Sequence, residues 1–291
     1  MVKRFVSIAL VFMLLSVAGG IYALGWALSR PVPVEVGPIP ANLIEAEAVT
    51  FSSQSGSMIH AWLSQAPAAT ASVLLLPGVR ANRLSMVRRA EFLRRSGYTT
   101  LLIDFQATGE SVGEAITFGW RERFDVLAAV QYLNARMPGR PVAVLGVSLG
   151  GAATLLATPP LEIQAAVLEA VYPSIDRALV NRLRMRIGPF APAVVPLLLV
   201  QLRPRLDVAA SDLKPVEHIA MLGCPLLLVG GTLDQHTTVD DTQLLYAAAR
   251  APKELWLIPG AAHVDYLEFT GDVYRRRILA FLAAALSRPA G

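Results

Sequence analysis

Cysteine is nearly absent from this chain of 291 residues, since Cys224 is the only one. A single cysteine excludes an internal disulfide and a zinc site built on several thiolates. Nucleotide-binding motifs are missing as well. Around Gly146 the glycine spacing fits neither the dinucleotide-binding G-x-G-x-x-G pattern nor a lysine-containing P-loop. We therefore predict no cofactor and no metal.

Charge is sparse too, because charged residues make up 16% of the chain and the net charge of +4 comes mostly from scattered arginines. No basic stripe interleaved with aromatic residues is visible, so the sequence carries no signature of nucleic-acid binding. Internal repeats are also missing. At this length, the chain can form one large α/β domain or two small ones around a sizeable core.

The chain contains a long apolar run without a charged residue, Phe5–Leu28. It is long enough to cross a bilayer, and we interpret residues 1–30 as an uncleaved signal anchor. A signal peptide cleaved near "SVAGG" and a buried core helix are the alternatives. Lys3 and Arg4 precede the run, which favours a cytoplasmic N-terminus. We therefore expect a single-pass membrane protein whose main domain lies outside the cytoplasm, or a secreted protein if the signal is cleaved.

The remainder divides into a linker and a body. Residues 31–45 are Pro-rich and predict a stiff linker that holds the body away from the membrane. Residues 46–291 alternate short apolar runs with longer segments of helical spacing, which predicts an α/β fold with a mostly parallel eight-stranded sheet and helices on both faces. The short "SQSGS" turn predicts an antiparallel hairpin at one edge. The eight apolar runs are "AVTFSS", "MIHAWLS", "SVLLLPG", "YTTLLIDF", "PVAVLGV", "AAVLEAV", "PLLLVGG" and "ELWLIPG".

One interval, about residues 172–215, separates two predicted strands by more than a usual connection. It is basic at both ends and apolar inside, and its prolines argue against a second membrane span. We interpret it as a helical lid over a site that accepts an acyl substrate or lipid. The alternative is an inserted helical excursion that packs on the core.

Ser148 stands in the pentapeptide Gly146-Val147-Ser148-Leu149-Gly150, between a predicted strand and a predicted helix. This context is typical of a serine nucleophile on a sharp turn. Such a serine needs a base, and the base needs an acid that orients it. Asp234 and His263 also follow predicted strands, in the order Ser, Asp, His, so all three belong at one edge of a parallel sheet. His60 and His218 are expected to be structural.

Other acidic residues compete with Asp234 for the orienting role. Glu169 follows the sixth predicted strand, and Asp240, Asp241 and Asp265 lie near the other candidates in sequence. Asp234 is preferred, because it alone combines a strand-end position with the expected order. For the oxyanion hole, we expect the backbone N–H groups of Leu149 and Val79 to act as donors.

The motifs "LLLPGVR", "LLIDFQATGES", "GVSLGG", "GTLDQHT" and "GAAHVD" make the chain similar to the α/β-hydrolase superfamily. The resemblance runs from about Ala46 to the C-terminus and is nearest to exported or membrane-anchored serine hydrolases of the prolyl-peptidase and aminopeptidase-like branches. It implies a Ser148–His263–Asp234 triad. Two departures stand out: Pro77 precedes Gly78 where many relatives have His-Gly, and Ala107-Thr108-Gly109 replaces Gly-His-Gly.

The function expected from these residues is hydrolysis of a carboxylic ester or a related acyl bond through an acyl-enzyme, with a small-molecule acyl substrate. A serine peptidase, an amidase or an acyltransferase of the same fold is the alternative within the enzymes. A membrane-tethered binding protein without turnover is the alternative of another class.

Overall fold

The computed structural model describes residues 2–287, so Met1 of the predicted anchor and residues 288–291 of the predicted body lie outside the described residues. An eight-stranded sheet forms the centre, and its strands, whose ranges close this paragraph, have the order β10-β9-β8-β7-β4-β5-β3-β2. Six of its strands run parallel, while β2 pairs antiparallel with β3, and β3 antiparallel with β5. The predicted α/β fold and the predicted edge hairpin are therefore confirmed. The strands of this sheet are β2 (Ala46–Ser52), β3 (Met58–Ser64), β4 (Ala71–Leu76), β5 (Tyr98–Ile103), β7 (Val142–Val147), β8 (Ala165–Glu169), β9 (Leu226–Gly231) and β10 (Lys253–Ile258).

Helices cover both faces of the sheet because its strands are apolar on both sides. Leu74 and Leu76 of β4 pack with residues of α3, α4 and α9, whereas Val73 and Leu75 pack with α2 and α11 on the other face. Four short 3₁₀ segments lie at 83–86, 188–190, 210–212 and 219–221. The helices are α1 (Val2–Ser29), α2 (Val87–Arg95), α3 (Glu122–Arg136), α4 (Leu149–Leu156), α5 (Ile175–Ile187), α6 (Ala191–Leu199), α7 (Leu202–Leu206), α8 (Pro215–His218), α9 (Val239–Ala248), α10 (Tyr266–Thr270) and α11 (Asp272–Leu286).

Residues 31–45, the predicted linker, contact the domain at several points. Its strand β1 (Val32–Pro33) pairs in parallel with β6 (Thr108–Gly109), and the Val36 N–H donates to Glu110 Oε1 at 3.1 Å. Val36 and Leu43 are buried in the apolar layer on the α2 face. Part of the predicted stiff linker therefore lies along the domain, because its apolar side chains between the prolines pack against it.

The C-terminal part of α1 also contacts the domain. Gln201 Nε2 donates to the Ile21 carbonyl at 3.3 Å, and Arg205 Nη2 donates to Ser29 Oγ at 2.7 Å. Within residues 2–287, one segment, Leu10–Ser29, is long and apolar enough to cross a membrane, and little of it is buried. The first half of α1 therefore projects from the domain, whereas its last turns pack against α6 and α7.

Helices α5, α6 and α7 occupy the interval 172–215, where the sequence predicts a helical insertion. They share an apolar cluster of their own, which includes Leu179, Val195 and Leu202. Pro192 stands in the first turn of α6, a position that tolerates the missing N–H, and Pro196 lies inside the helix. This cluster lies over the ends of β7 and β9, where the candidate site is found.

Candidate active site

Ser148 lies on the turn between β7 and α4. Its backbone has φ 49° and ψ −106°, which is an uncommon conformation for a residue with a Cβ atom. The Ser148 N–H donates to the Glu169 carbonyl at 2.7 Å, which ties the turn to the end of β8. Within the described residues the Ser148 hydroxyl makes no hydrogen bond, and the residue is 7% exposed. Its hydroxyl is therefore available at a strained turn, as a nucleophile requires.

Two glycines of the pentapeptide permit this turn. A Cβ atom on Gly146 would lie 2.7 Å from the Gly151 nitrogen, and one on Gly150 would lie 2.6 Å from the Leu76 carbonyl oxygen. Both obstacles are backbone atoms, which cannot rotate aside. The glycines are thus required for the close approach of α4 to β7 and β4.

His263 and Asp234 meet in the loops that follow β10 and β9. His263 Nδ1 lies 2.7 Å from Asp234 Oδ2, and the Thr237 hydroxyl donates to the same oxygen at 2.7 Å. The other oxygen, Oδ1, accepts the N–H groups of His236 and Thr237 at 2.8 and 2.9 Å. Burial raises the pKa of Asp234, but its hydrogen bonds from His263 and Thr237 outweigh burial and hold the pKa below its ordinary value. Asp234 is thus a fixed carboxylate that is hydrogen-bonded to the imidazole.

Ser148 and His263 line one pocket, which holds about 560 Å³ of empty space including its open mouth. The pocket wall is mainly apolar. Its further lining residues are Leu28, Val79, Phe118, Leu149, Tyr172, Ile175, Ala178, Leu179, Arg182, His236 and Thr237.

The two backbone donors predicted for an oxyanion hole also border this pocket. Val79 lies in the loop after β4, and Leu149 is the first residue of α4. Among the hydrogen bonds of residues 2–287, neither the Val79 N–H nor the Leu149 N–H is a donor. Both groups are therefore free to donate to a bound oxygen atom.

A buried charge network supports the loop that carries Val79. The Asp104 carboxylate accepts the N–H groups of Arg83 at 2.7 Å and Glu110 at 2.9 Å. The Arg83 guanidinium bridges the Asp104 and Glu110 carboxylates and packs on the Trp62 ring. The network therefore joins the segment that follows the Val79 loop to the segment between Asp104 and Glu110.

The competing acids lie elsewhere. Glu169 is buried and accepts from Arg89 Nη2 at 2.8 Å and from the Tyr274 hydroxyl. Asp265 caps α10 and pairs with Arg89 Nη1 at 2.9 Å. Asp241 caps α9, and Asp240 is exposed on the same helix. In the described part of the chain, none of the four contacts His263 through a hydrogen bond.

The two histidines predicted to be structural lie outside the pocket. His60 is in β3, with its ring 3.8 Å from Glu110 Oε2, and His218 ends α8. His236 is different, since its ring centroid lies 4.8 Å from that of His263. Burial and the neighbouring His263 and Arg182 lower the pKa of His236, so its ring is neutral near pH 7.

Sequence reasoning missed several residues that line the pocket. Leu28 comes from the predicted anchor, and Phe118 from a loop without a motif. Ile175, Ala178, Leu179 and Arg182 form one face of α5 with helical spacing. That spacing could have revealed a pocket-facing stripe inside the insertion, whereas no pattern marks Leu28 or Phe118.

Comparisons with known proteins agree with this architecture. The family model described as "Alpha/beta hydrolase family" matches residues 73–276. Among curated proteins, the chain is 27% identical over 263 residues to the YfhR protein of Salmonella typhimurium. That match covers 86% of this chain and 85% of YfhR. It is 29% identical over 270 residues to the alpha/beta hydrolase domain-containing protein WAV2 of Arabidopsis thaliana. That match covers 88% of this chain and 83% of WAV2.

Solved structures give the same fold. The esterase Pf2001 of Pyrococcus furiosus superposes with a TM-score of 0.74 at 22% identity, over 89% of this chain and 98% of that one. The esterase EaEST of Exiguobacterium antarcticum superposes with a TM-score of 0.61 at 16% identity, over 81% of this chain and 100% of EaEST. At these identities the likeness shows the fold alone.

Proposed function

Because this chain belongs to the alpha/beta hydrolase family, whose model matches residues 73–276, we propose that it is a serine hydrolase that cleaves carboxylic esters. Ser148 Oγ attacks the acyl carbon, and His263 takes the serine proton through Nε2, since its Nδ1 faces Asp234. Asp234 holds the imidazole and stabilises the imidazolium that forms. The N–H groups of Val79 and Leu149 stabilise the oxyanion.

Two half-reactions follow. In the first, the tetrahedral adduct collapses, the carbon–oxygen bond to the alcohol breaks, and His263 returns its proton to the leaving alcohol. In the second, water attacks the Ser148 ester, gives a proton to His263, and releases the carboxylic acid as Ser148 regains its proton. Every atom transferred comes from the ester or from water, so no cofactor takes part.

One observation carries the proposal: the strained Ser148 turn and the His263–Asp234 hydrogen bond open onto the same pocket. A serine placed only for packing would not need a φ of 49°. A histidine placed only for folding would not need a buried carboxylate on one nitrogen and an apolar pocket on its other side. The combination supports nucleophilic catalysis.

Helices α5–α7 serve in this proposal as the lid, and α1 as a single-pass membrane anchor with the catalytic domain outside the cytoplasm. The support for a lid is that one face of α5 lines the pocket. The support for an anchor is the length and exposure of Leu10–Ser29. An ester that dissolves in the bilayer would then meet the pocket near the membrane surface, because Leu28 lies at the domain end of the helix.

Labelling by a fluorophosphonate probe tests the nucleophile. The purified full chain in detergent should be labelled, and Ser148→Ala should abolish labelling because the probe reacts only with an activated serine. Ser85→Ala, which removes an exposed hydroxyl outside the pocket lining, is the matched control and should label like the parent chain. An unlabelled parent chain, beside a labelled known hydrolase, would favour the binding protein without turnover.

A substrate panel then distinguishes the enzyme classes. Matched esters and amides of varied acyl length should give ester hydrolysis as the faster reaction. Preference for the amides would indicate a peptidase or amidase instead, and transfer of the acyl group to an added alcohol in place of water would indicate an acyltransferase.

A further inference from the structure

Arg182 of α5 is a cation in an otherwise apolar part of the pocket. Its side chain lines the same cavity as Ser148 and His263, beside Ala178 and Leu179 of its own helix. Among residues 2–287, no hydrogen bond or ion pair to the Arg182 guanidinium is found. The group is half-buried, and burial lowers its pKa, although a guanidinium stays charged at any physiological pH.

Among the residues that the structure describes, no neighbouring group supplies a counter-charge to Arg182. Tyr172 interacts with it electrostatically, but the Tyr172 hydroxyl donates to the Phe118 carbonyl at 2.8 Å, and burial raises the pKa of this phenol far above neutrality. His236, the other close group, is a neutral ring whose Nδ1 is buried without a partner. Asp234 already accepts from His263, Thr237 and backbone N–H groups.

The position of Arg182 is fixed by its own helix. The preceding residue, Asn181, donates to Asp241 Oδ2 at 2.6 Å and to the His236 carbonyl at 3.2 Å. Arg177, one turn earlier, pairs with Asp241 Oδ1 at 2.5 Å. These bonds attach α5 to the start of α9 and hold the Arg182 face toward the pocket. A partly desolvated cation without a partner is costly unless an anion joins it.

We propose that Arg182 binds an anionic oxygen group of the substrate, so that the preferred ester carries a carboxylate or a phosphate within reach of the scissile bond. This proposal rests on the proposed ester hydrolysis and names its substrate class. A planar guanidinium binds either anion through two parallel hydrogen bonds. The apolar lining, including Leu28 and Phe118, receives the hydrocarbon part of the same molecule.

Matched substrate pairs test the proposal and locate the anion. One pair is a nitrophenyl alkanoate and the nitrophenyl half-ester of a dicarboxylic acid of equal length, which places the anion on the acyl side. The other is a monoacylglycerol and its glycerol phosphate counterpart, which places it on the alcohol side. In at least one pair, the full chain should prefer the anionic member in kcat/KM.

The variant Arg182→Gln should remove that preference by lowering kcat/KM for the anionic member roughly tenfold to hundredfold, as expected for a lost charge-assisted hydrogen bond. The neutral member should change little. Arg182→Lys keeps the charge without the two-pronged geometry and should be intermediate. Arg184→Gln, which removes an exposed arginine from the same helix, is the matched control and should behave like the parent.

Binding without turnover separates this proposal from the proposed reaction. Calorimetry of the Ser148→Ala chain with hexyl phosphate, hexanoate and hexanol should show that the two anions bind more tightly and that Arg182→Gln abolishes the difference. If this holds but no ester is cleaved, the anion site stands and the hydrolase proposal fails. The proposal is overturned if the anions and hexanol bind with equal affinity. It is also overturned if Arg182→Gln changes neither anion binding nor the substrate preference in either pair, because the Arg182 guanidinium would then be solvated by water alone.

Discussion

The individual residues around Asp234 are the reason why we propose this carboxylate, among several acids, as the one that orients the imidazole. Its two oxygens accept from His263, from the Thr237 hydroxyl and from two backbone N–H groups, and the Tyr266 hydroxyl lies 3.4 Å from Oδ2. So many donors fix the carboxylate in its ionised form and in one rotamer. Glu169 has an equally crowded surrounding, but its donors belong to Arg89 and Tyr274.

Asp234→Asn should reduce kcat for a simple ester by roughly 10³- to 10⁴-fold while the chain stays folded. An amide has one acceptor oxygen in place of two, so His263 loses the partner that fixes its tautomer and supports its positive charge. Initial rates measured at neutral pH, with circular dichroism to verify folding, check the result.

Glu169→Gln is the matched substitution for this test. It should leave kcat of the folded enzyme within about tenfold, but it should lower the free energy of unfolding by roughly 3 kcal/mol, because Arg89 loses a buried partner. The reverse order, with turnover lost in Glu169→Gln and kept in Asp234→Asn, would show that the orienting acid is Glu169.

At the scale of helices and strands, sequence patterns predicted the strands of the central sheet. Each of the eight apolar runs became a strand. Strands β4, β5, β8 and β9 are buried at every position because helices cover both faces of the sheet, whereas the edge strands β2 and β10 are partly exposed. The strand ends then brought Ser148, Asp234 and His263 to one edge. The pocket face of α5 was not predicted, since Arg182 looks like any surface arginine until its neighbours are known.

Asp125 shows how one helix fixes two other elements. From α3, its Oδ1 accepts the Ser53 hydroxyl of the turn between β2 and β3 at 2.6 Å, and its Oδ2 accepts the Gln106 N–H at 2.9 Å. Burial raises the pKa of Asp125 to about 7, and these hydrogen bonds offset only part of that effect. In the unfolded chain an aspartate has a pKa of about 3.9.

This difference gives a prediction for stability against pH. Between about pH 4 and pH 7 the folded chain holds a proton on Asp125 that the unfolded chain has lost, so this residue's contribution falls as pH rises. Asp125→Asn cannot titrate, and its amide can still accept from Gln106 and donate to Ser53. Relative to the parent chain, the variant should therefore gain up to about 1.4 kcal/mol in unfolding free energy per pH unit across this window.

Denaturant unfolding of both chains at several pH values between 5 and 8 measures that gain. Asp240→Asn, at an exposed position on α9, is the control and should leave the pH dependence of the parent unchanged. Equal slopes for Asp125→Asn and the parent would mean that Asp125 is ionised in the folded state.

For the molecule as a whole, the N-terminal segment belongs to the domain more than its composition suggests. The four prolines in residues 31–45 favour an extended chain, and the sequence cannot show that this chain lies along Thr108 and Gly109. The small sheet there follows from tertiary packing, since two residues of pairing have no stability of their own. The same docking brings Leu28 into the pocket wall.

Leu28→Ala in the full chain tests whether α1 forms part of the substrate site. Removing this side chain should raise KM for a long-chain ester roughly fivefold and leave hydrolysis of an acetate ester unchanged, because only a long acyl chain reaches that wall. Leu24→Ala, one turn earlier on α1 and outside the pocket lining, should match the parent for both esters. Equal KM values for Leu28→Ala and the parent with every acyl length would mean that α1 attaches to the domain without contacting the substrate. We expect KM to depend on acyl length instead, because the Ser29–Arg205 and Ile21–Gln201 hydrogen bonds hold the end of α1 against the domain.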